Sequence, residues 1–313
     1  MTFFDQWRRD NLRRNFLRGV SQPLRVPSFT YKRLELNRQL PLMHALGVRD
    51  PVFEVNAKDD AYPWARSLGV RVPERLALCD RVADVPWDTL PDRFVLKPNK
   101  GKSSTGVFLL ERLSDGWLNR GSGRPLSTAE LVREYEQLVA TGTVSEGLTI
   151  EELVSDPRFP GLPPIDYKVY SFYGTVGIIK VKAHSITEAG RVSRWRQFDA
   201  EWRDIGNAFH HYVTDASIPP PVHRDEVLQM ARTVSAAIPR AFVRVDVFDT
   251  ADGPVFGEVT PMPGDETIVT PKIDRMLGEL WEDAEARLRV EIIRTGLLHP
   301  RVPSTGNAVP TTS

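Results

Sequence analysis

One cysteine in 313 residues, Cys79, leaves no partner for an intramolecular disulfide and fits a chain kept in a reducing compartment. No apolar run approaches the ~18–20 residues that span a bilayer, and no signal-peptide core follows Met1. The expected location is cytoplasmic. Net charge is missing as well: Lys+Arg and Asp+Glu both total 41, so no overall field draws in a polyanion. Nucleic acid is therefore not the expected partner, a local basic groove excepted. The length that remains suggests roughly two domains, with a core large enough to need no covalent staples.

What is present changes character along the chain. Residues 1–20 are basic and amphipathic, with Phe3, Trp7 and Phe16 set among Arg8, Arg9, Arg13 and Arg14. Two readings fit: a helix docked on the body with its arginines in water, or a peripheral membrane contact. After this helix (1–30), residues 31–92 mix short helical patterns with Gly and Pro breaks and read as a small N-terminal subdomain. From Arg93 strands take over. The expected strands are 94–97, 107–110 and 148–154, and a hairpin is expected over 166–173 and 175–183 about Gly174. Helices are expected over 128–140, where Ser127 and Glu130 form a capping box, and over 224–238 and 274–297. The pattern is α+β with mixed or antiparallel sheets, divided at 93–155 and 156–298, followed by a Pro/Ser/Thr tail (299–313) expected to be disordered.

Two acidic residues carry the chemistry. Asp246 lies in the strand Phe242–Val247 and Glu258 in the strand Pro254–Val259, with a Thr250–Gly253 turn between them. A hairpin there brings two carboxylates together in apolar surroundings, which is tolerable only with a cation or a shared proton. Mg²⁺ suits such a pair, because it takes one or two carboxylates and completes its shell with phosphate oxygens. Arg244 and Thr260 lie two residues from Asp246 and Glu258, on the same strand faces. Arg244 could hold the metal carboxylate or stabilise a developing oxyanion, and the Thr260 oxygen could reach a metal or phosphate.

Other segments fit around this pair. Lys97 to Gly106, with Lys102, Ser103, Ser104 and Thr105, offers small residues and positive charge for phosphates, although a surface hairpin tip explains the same composition. Glu151, Glu152, Leu153 and Val154 end a strand where unpaired backbone groups can meet an adenine edge, or they simply mark a solvated strand end. Lys168, Lys180 and Lys182 share a strand face that is either in water or against a phosphate cleft. Trp195, Arg196, Trp202 and Arg203 could grip an acceptor or sit on a surface loop, and His210-His211 lacks zinc spacing.

The order of these segments resembles the ATP-grasp superfamily. Phe94-Val95-Leu96-Lys97-Pro98 with Gly101 to Gly106, then Val243-Arg244-Val245-Asp246 and Glu258 to Gly264, look like segments of D-alanine–D-alanine ligases. Leu90 to Lys97, Asp166-Tyr167-Lys168-Val169-Tyr170 and Gln197 to Trp202 resemble more closely the TupA-like branch, associated with cell-surface polymer synthesis. The resemblance implies an ATP-grasp fold of two α+β subdomains clamping ATP. It implies phosphate contacts at Lys97 and under Ser103 to Gly106, an adenine hinge at Glu151 to Val154, and a phosphate or ribose contact at Lys168. Asp246 and Glu258 become the Mg²⁺ ligands, and Thr260 stands where many relatives carry an asparagine. Arg158 stands where a ribose-binding glutamate is expected, with Asp156 or Asp166 as substitutes. The implied activity is an ADP-forming carboxylate–amine (or carboxylate–thiol) ligase with Lys168 and Arg244 in catalytic roles. A phosphotransferase acting on a hydroxyl and a non-catalytic nucleotide-binding module are the alternatives.

Overall fold

The computed structural model describes residues 26–55, 58–99, 105–160, 162–187, 190–209, 212–263 and 270–296. Helix α1 (Phe29–Ala45) starts where the Ser28 side chain accepts from Tyr31 N, and it runs on through Pro41. A 3₁₀ turn (Pro51–Glu54) leads to α2 (Lys58–Ser67). Strands β1 (Arg75–Cys79), β2 (Arg93–Pro98), β3 (Phe108–Leu113), β4 (Gly116–Asn119), β5 (Arg124–Leu126) and β6 (Leu148–Glu152) then form one antiparallel sheet in the order β1-β6-β2-β3-β4-β5. Helix α3 (Thr128–Ala140) covers it, and the expected capping box is formed in both directions between Ser127 and Glu130. Leu131 and Tyr135 of α3 are buried with Phe94, Leu96 and Trp117 in the core of this layer.

The second sheet comprises β7 (Asp166–Phe172), β8 (Thr175–Thr187), β9 (Gly190–Asp199), β10 (Val243–Thr250) and β11 (Gly253–Thr260), in the order β11-β10-β7-β8-β9. Between β9 and β10 lies α4 (Arg224–Ala236), and α5 (Pro271–Thr295) closes the described fold. The β7–β8 turn is Tyr173-Gly174 with both residues at positive φ (45° and 84°), the conformation a two-residue hairpin needs to match strand twist. One face of the sheet (Tyr167, Val169, Val181, Val245, Val247) packs against α4 and the N-terminal Val52–Val72 module. On the other face Tyr170, Phe172 and Phe242 pack with Phe29 of α1 and Trp281 of α5. Each such fully buried side chain contributes about 1.5–3 kcal/mol.

Three expectations change. Strand β1 comes from the stretch read as the N-terminal subdomain, so the first sheet reaches back past residue 93 to Arg75. The short strands β4 and β5 were not anticipated, because three or four residues are too few to show a period. Strand β9 occupies much of a segment read as a joining loop, and its Trp195 and Arg196 are strand residues. Most of the basic N-terminal segment, Lys102, Ser103, Ser104, His210, His211 and the 299–313 tail lie outside the described residues.

Gly278 in α5 shows how tightly α1 is seated. A Cβ there would fall on the backbone of Ser28 and lie 2.6 Å from the Pro27 carbonyl carbon. Backbone cannot swing aside as a side chain can. Gly278→Ala is expected to lower unfolding free energy by about 1–3 kcal/mol in chemical denaturation, despite the better helix propensity of alanine. Unchanged or raised stability would contradict this packing.

Candidate active site

Strand register puts a polar row across the whole second sheet. Glu258 of β11 faces Asp246 of β10, Asp246 faces Lys168 of β7, Lys168 faces Lys180 of β8, and Lys180 faces Gln197 of β9. All five project to the face that carries Tyr170 and Phe172 further along, because side chains alternate with period two. The aromatic half of that face is covered by α1 and α5, and the charged half opens into a cavity.

Asp246 is the hub. Its Oδ1 accepts from Arg244 Nε at 2.6 Å, and its Oδ2 accepts from Arg244 Nη2 at 2.8 Å and from Lys168 Nζ at 2.5 Å. Burial alone would raise the carboxyl, but Arg244 and Lys168 outweigh it and hold Asp246 below the ordinary carboxylate range. The converse holds for its partners. Burial disfavours the Lys168 ammonium, yet Asp166 and Asp246 raise its pKa above the usual lysine value. Arg244 is raised likewise, by Asp246 against the effect of burial. Lys168 is shared, since its Nζ also lies 2.5 Å from Asp166 Oδ2.

The cavity, ≈ 450 Å³, lies between the two sheets. Lys97, Glu151, Glu152, Leu153, Val154, Asp166, Lys168, Arg244, Asp246 and Glu258, ten residues named from the sequence, all line it. Lys97 is 4% exposed and ion-paired to Glu151. The two glutamates divide. Glu152 turns toward the segment before β1, accepting from Arg71 Nη2 (3.4 Å) and from Glu74 N (3.1 Å), whereas Glu151 keeps Oε2 buried without a hydrogen-bond partner. Asp166 Oδ1 is the second such orphan on the same cavity. Buried acceptors without donors are costly, so each calls for a donor, whether water or ligand.

Several sequence expectations are relocated. The Thr260 hydroxyl accepts from Arg244 Nη2 at 2.9 Å and lies 3.3 Å from Glu258 Oε1, so it orients Arg244 and does not line the cavity. Thr105 and Gly106, the described end of the basic loop, also lie off the lining. Asp156 does not line the cavity: it is buried under Arg158, whose Nη2 sits 2.6 Å from its Oδ2. Trp195, Arg196, Trp202 and Arg203 do not line the cavity either. Trp195 instead stacks over Lys180 (4.6 Å), Arg196 binds Asp204, Trp202 packs on Tyr167, and Arg203 is an exposed partner of Asp199. Lys182, read from the sequence as facing either water or a phosphate cleft, lines the wall, whereas sequence reasoning missed Tyr62 and Phe248. Phe248 was within reach, being two residues past Asp246 on the same strand face. Tyr62 was not, because α2 gives no local hint of what it packs against.

A hard cation fits the donors. The Glu258 side chain is 45% exposed at the cleft, and Asp246 keeps about one of roughly four lone-pair positions after accepting three hydrogen bonds. Among the described residues no three His, Cys, Asp or Glu side chains gather as a metal cage. Two carboxylates completed by ligand oxygens is the pattern that suits Mg²⁺.

Two antiparallel sheets with a cationic and carboxylate cleft between them fit an ATP-grasp protein, the class that a family-model match shows. Within that class the chain belongs to the TupA-like ATP-grasp family, whose sequence model matches residues 39–282. Among solved structures it is similar to D-alanine–D-alanine ligase from Bacillus anthracis, at 17% identity over 80% of this chain and 76% of that one, with TM-score 0.49. It is also similar to the ATP-grasp ligase PsnB complexed with minimal precursor (16% identity, 90% of this chain, 76% of that chain, TM-score 0.43). A third likeness is L-amino acid ligase from Bacillus licheniformis (14% identity, 71% of this chain, 47% of that chain, TM-score 0.42). Among curated proteins none matches the chain. No described helix is long and apolar enough to cross a membrane.

Lys180, beside this site, is 1% exposed. Its Nζ sits over the rings of Trp195, Tyr212 and Phe209 at 4.6, 4.7 and 5.2 Å. Burial first, then Arg244 and Lys168, push its pKa down to about 6. A lysine that must give up its proton to fold imposes a cost absent above its ordinary 10.5, growing as pH falls, and complete below about 6. Lys180→Met should therefore raise the melting temperature, and by more at about pH 6 than at about pH 9. A variant less stable than wild type near pH 6 would contradict the burial of this amine.

Proposed function

We propose that this protein is an ADP-forming carboxylate–amine ligase working through an acyl phosphate, with cell-surface polymer or natural-product assembly as its setting. The supporting observation is the convergence of Lys97, Lys168, Arg244 and Glu258 on one cavity whose wall also holds the unsatisfied oxygens of Glu151 and Asp166. The cations match a polyphosphate. The orphan acceptors match the amino and hydroxyl donors of a nucleoside.

In this reading the purine lies against Leu153 and Val154, just past the last ladder pair of β6, where backbone groups can meet its edge. Lys97 and Lys168 meet the phosphates. Magnesium held by Glu258 and Asp246 would neutralise phosphate charge and make the terminal phosphorus more electrophilic. An acceptor carboxylate oxygen attacks that phosphorus, the bond to the bridging oxygen breaks, and ADP departs. The nitrogen of an amine then attacks the acyl carbon, the bond to the phosphate oxygen breaks, and the amine proton is lost to solvent as orthophosphate leaves. Arg244 has three of its five N–H donors engaged by Asp246 and Thr260. The remaining Nη1 pair stabilises the tetrahedral oxyanion, held in place by the contacts that fix the guanidinium.

Product analysis tests the reaction type. With ATP, Mg²⁺ and pools of amino acids and other carboxylates, ADP and orthophosphate should appear in equal amounts with an amide. A stable phosphoester without orthophosphate would contradict the ligase reading. Glu258→Gln removes a half-exposed charge, so it should reduce ATP turnover by about 100-fold or more while leaving the melting temperature near that of wild type. Turnover within a fewfold of wild type would remove Glu258 from the proposed metal site.

A further inference from the structure

We propose that Tyr62 is a positioning residue for the nucleotide: its one hydroxyl fixes Lys97, and through it Glu151, from a helix belonging to neither sheet. This rests on the nucleotide reading above and assigns a role within it to the N-terminal module. Tyr62 lies on α2, is 5% exposed, and lines the same cavity. Its Oη accepts from Lys97 Nζ at 3.0 Å, and the ammonium lies 5.0 Å from the ring centroid. The Glu151 carboxylate lies close enough to the phenol to help raise its pKa. With the direct Lys97–Glu151 ion pair, the ammonium joins phenol and carboxylate in one charge-assisted cluster.

The second sheet is part of the same junction. The Tyr62 ring meets Phe256 of β11 edge-on at 6.2 Å and 77°, two residues before Glu258. Burial first, then Glu151 and Glu258, hold the phenol pKa well above its ordinary value, so Tyr62 stays neutral at physiological pH. Phenylalanine could fill the same volume and keep the contact with Phe256. What it could not do is hold the ammonium that pairs with Glu151.

Their orientation matters for different reasons. A lysine side chain carries about 2 kcal/mol of rotamer entropy, which is otherwise lost when it meets a phosphate. Pinning Lys97 in the folded protein moves that loss out of the binding step. For Glu151, the Lys97 ammonium that Tyr62 holds pairs with Oε1, while Oε2 has no hydrogen-bond partner. The hydroxyl thus prepares a phosphate contact and a nucleoside contact together.

The test is calorimetric titration of the full chain with Mg²⁺ and a non-hydrolysable ATP analogue, for wild type, Tyr62→Phe, Lys97→Met and the double variant. Tyr62→Phe should weaken binding by about 10-fold or more, since it removes a hydrogen bond to a charged group. In turnover the effect should fall on KM for ATP, with kcat nearly unchanged. Because Tyr62 acts through its partners, the double variant should lose less than the product of the two single losses. Wild-type affinity in Tyr62→Phe, or losses that multiply in full, would overturn this inference while leaving the nucleotide reading intact. Failure of the wild type to bind the analogue would overturn both.

Discussion

A single buried carboxylate organises this cleft. Asp246 is 3% exposed and is hydrogen-bonded by two cations, Arg244 and Lys168. None of the three could be buried alone. An uncompensated charge in a protein interior costs several kcal/mol, whereas a paired and fully hydrogen-bonded set can break even. The arrangement does not have to stabilise the fold in order to be useful. It places two cations and a carboxylate at fixed points on a rigid sheet, where loops could not hold them as closely.

The rest of the site extends from that hub through β-sheet register. Cross-strand pairing sets Glu258 on one side of Asp246 and Lys168 on the other, and Lys180 lies one strand further. Apolar residues on the reverse face lock this register, since a one-residue slip would turn Val245 and Val247 toward the charged side. Core packing and site geometry are therefore one constraint. Lys180 shows where the constraint is expensive. It continues the row into a nest of aromatic rings, where burial outweighs the pull of Asp246 and Asp166 and depresses the amine to about 6.

Much of this was legible because strand alternation is a local rule. Arg244 and Asp246, like Glu258 and Thr260, were placed on shared faces by their spacing, and the structure joins them through hydrogen bonds. Hairpins about Gly174 and Gly253 followed from turn chemistry, and α3 from its capping box. What the sequence did not disclose depends on partners distant in the chain. That Glu152 serves Glu74 and Arg71, that Asp156 lies under Arg158, and that Tyr62 reaches Lys97 are all tertiary facts. Strand β9 was read as a loop because its arginines and tryptophans obscure the alternation that a half-buried strand would show.

The central claim is that polyphosphate binds on the charged half of the second sheet, over Lys168 and Arg244, with the base against Leu153 and Val154. A crystal structure with Mg²⁺ and a non-hydrolysable ATP analogue tests it most directly. The account predicts a cation touching Glu258 and phosphate oxygens together, with a nucleoside donor on Glu151 Oε2 or Asp166 Oδ1. Density for the nucleotide at any other surface, with the cavity between the sheets holding only water, would contradict it.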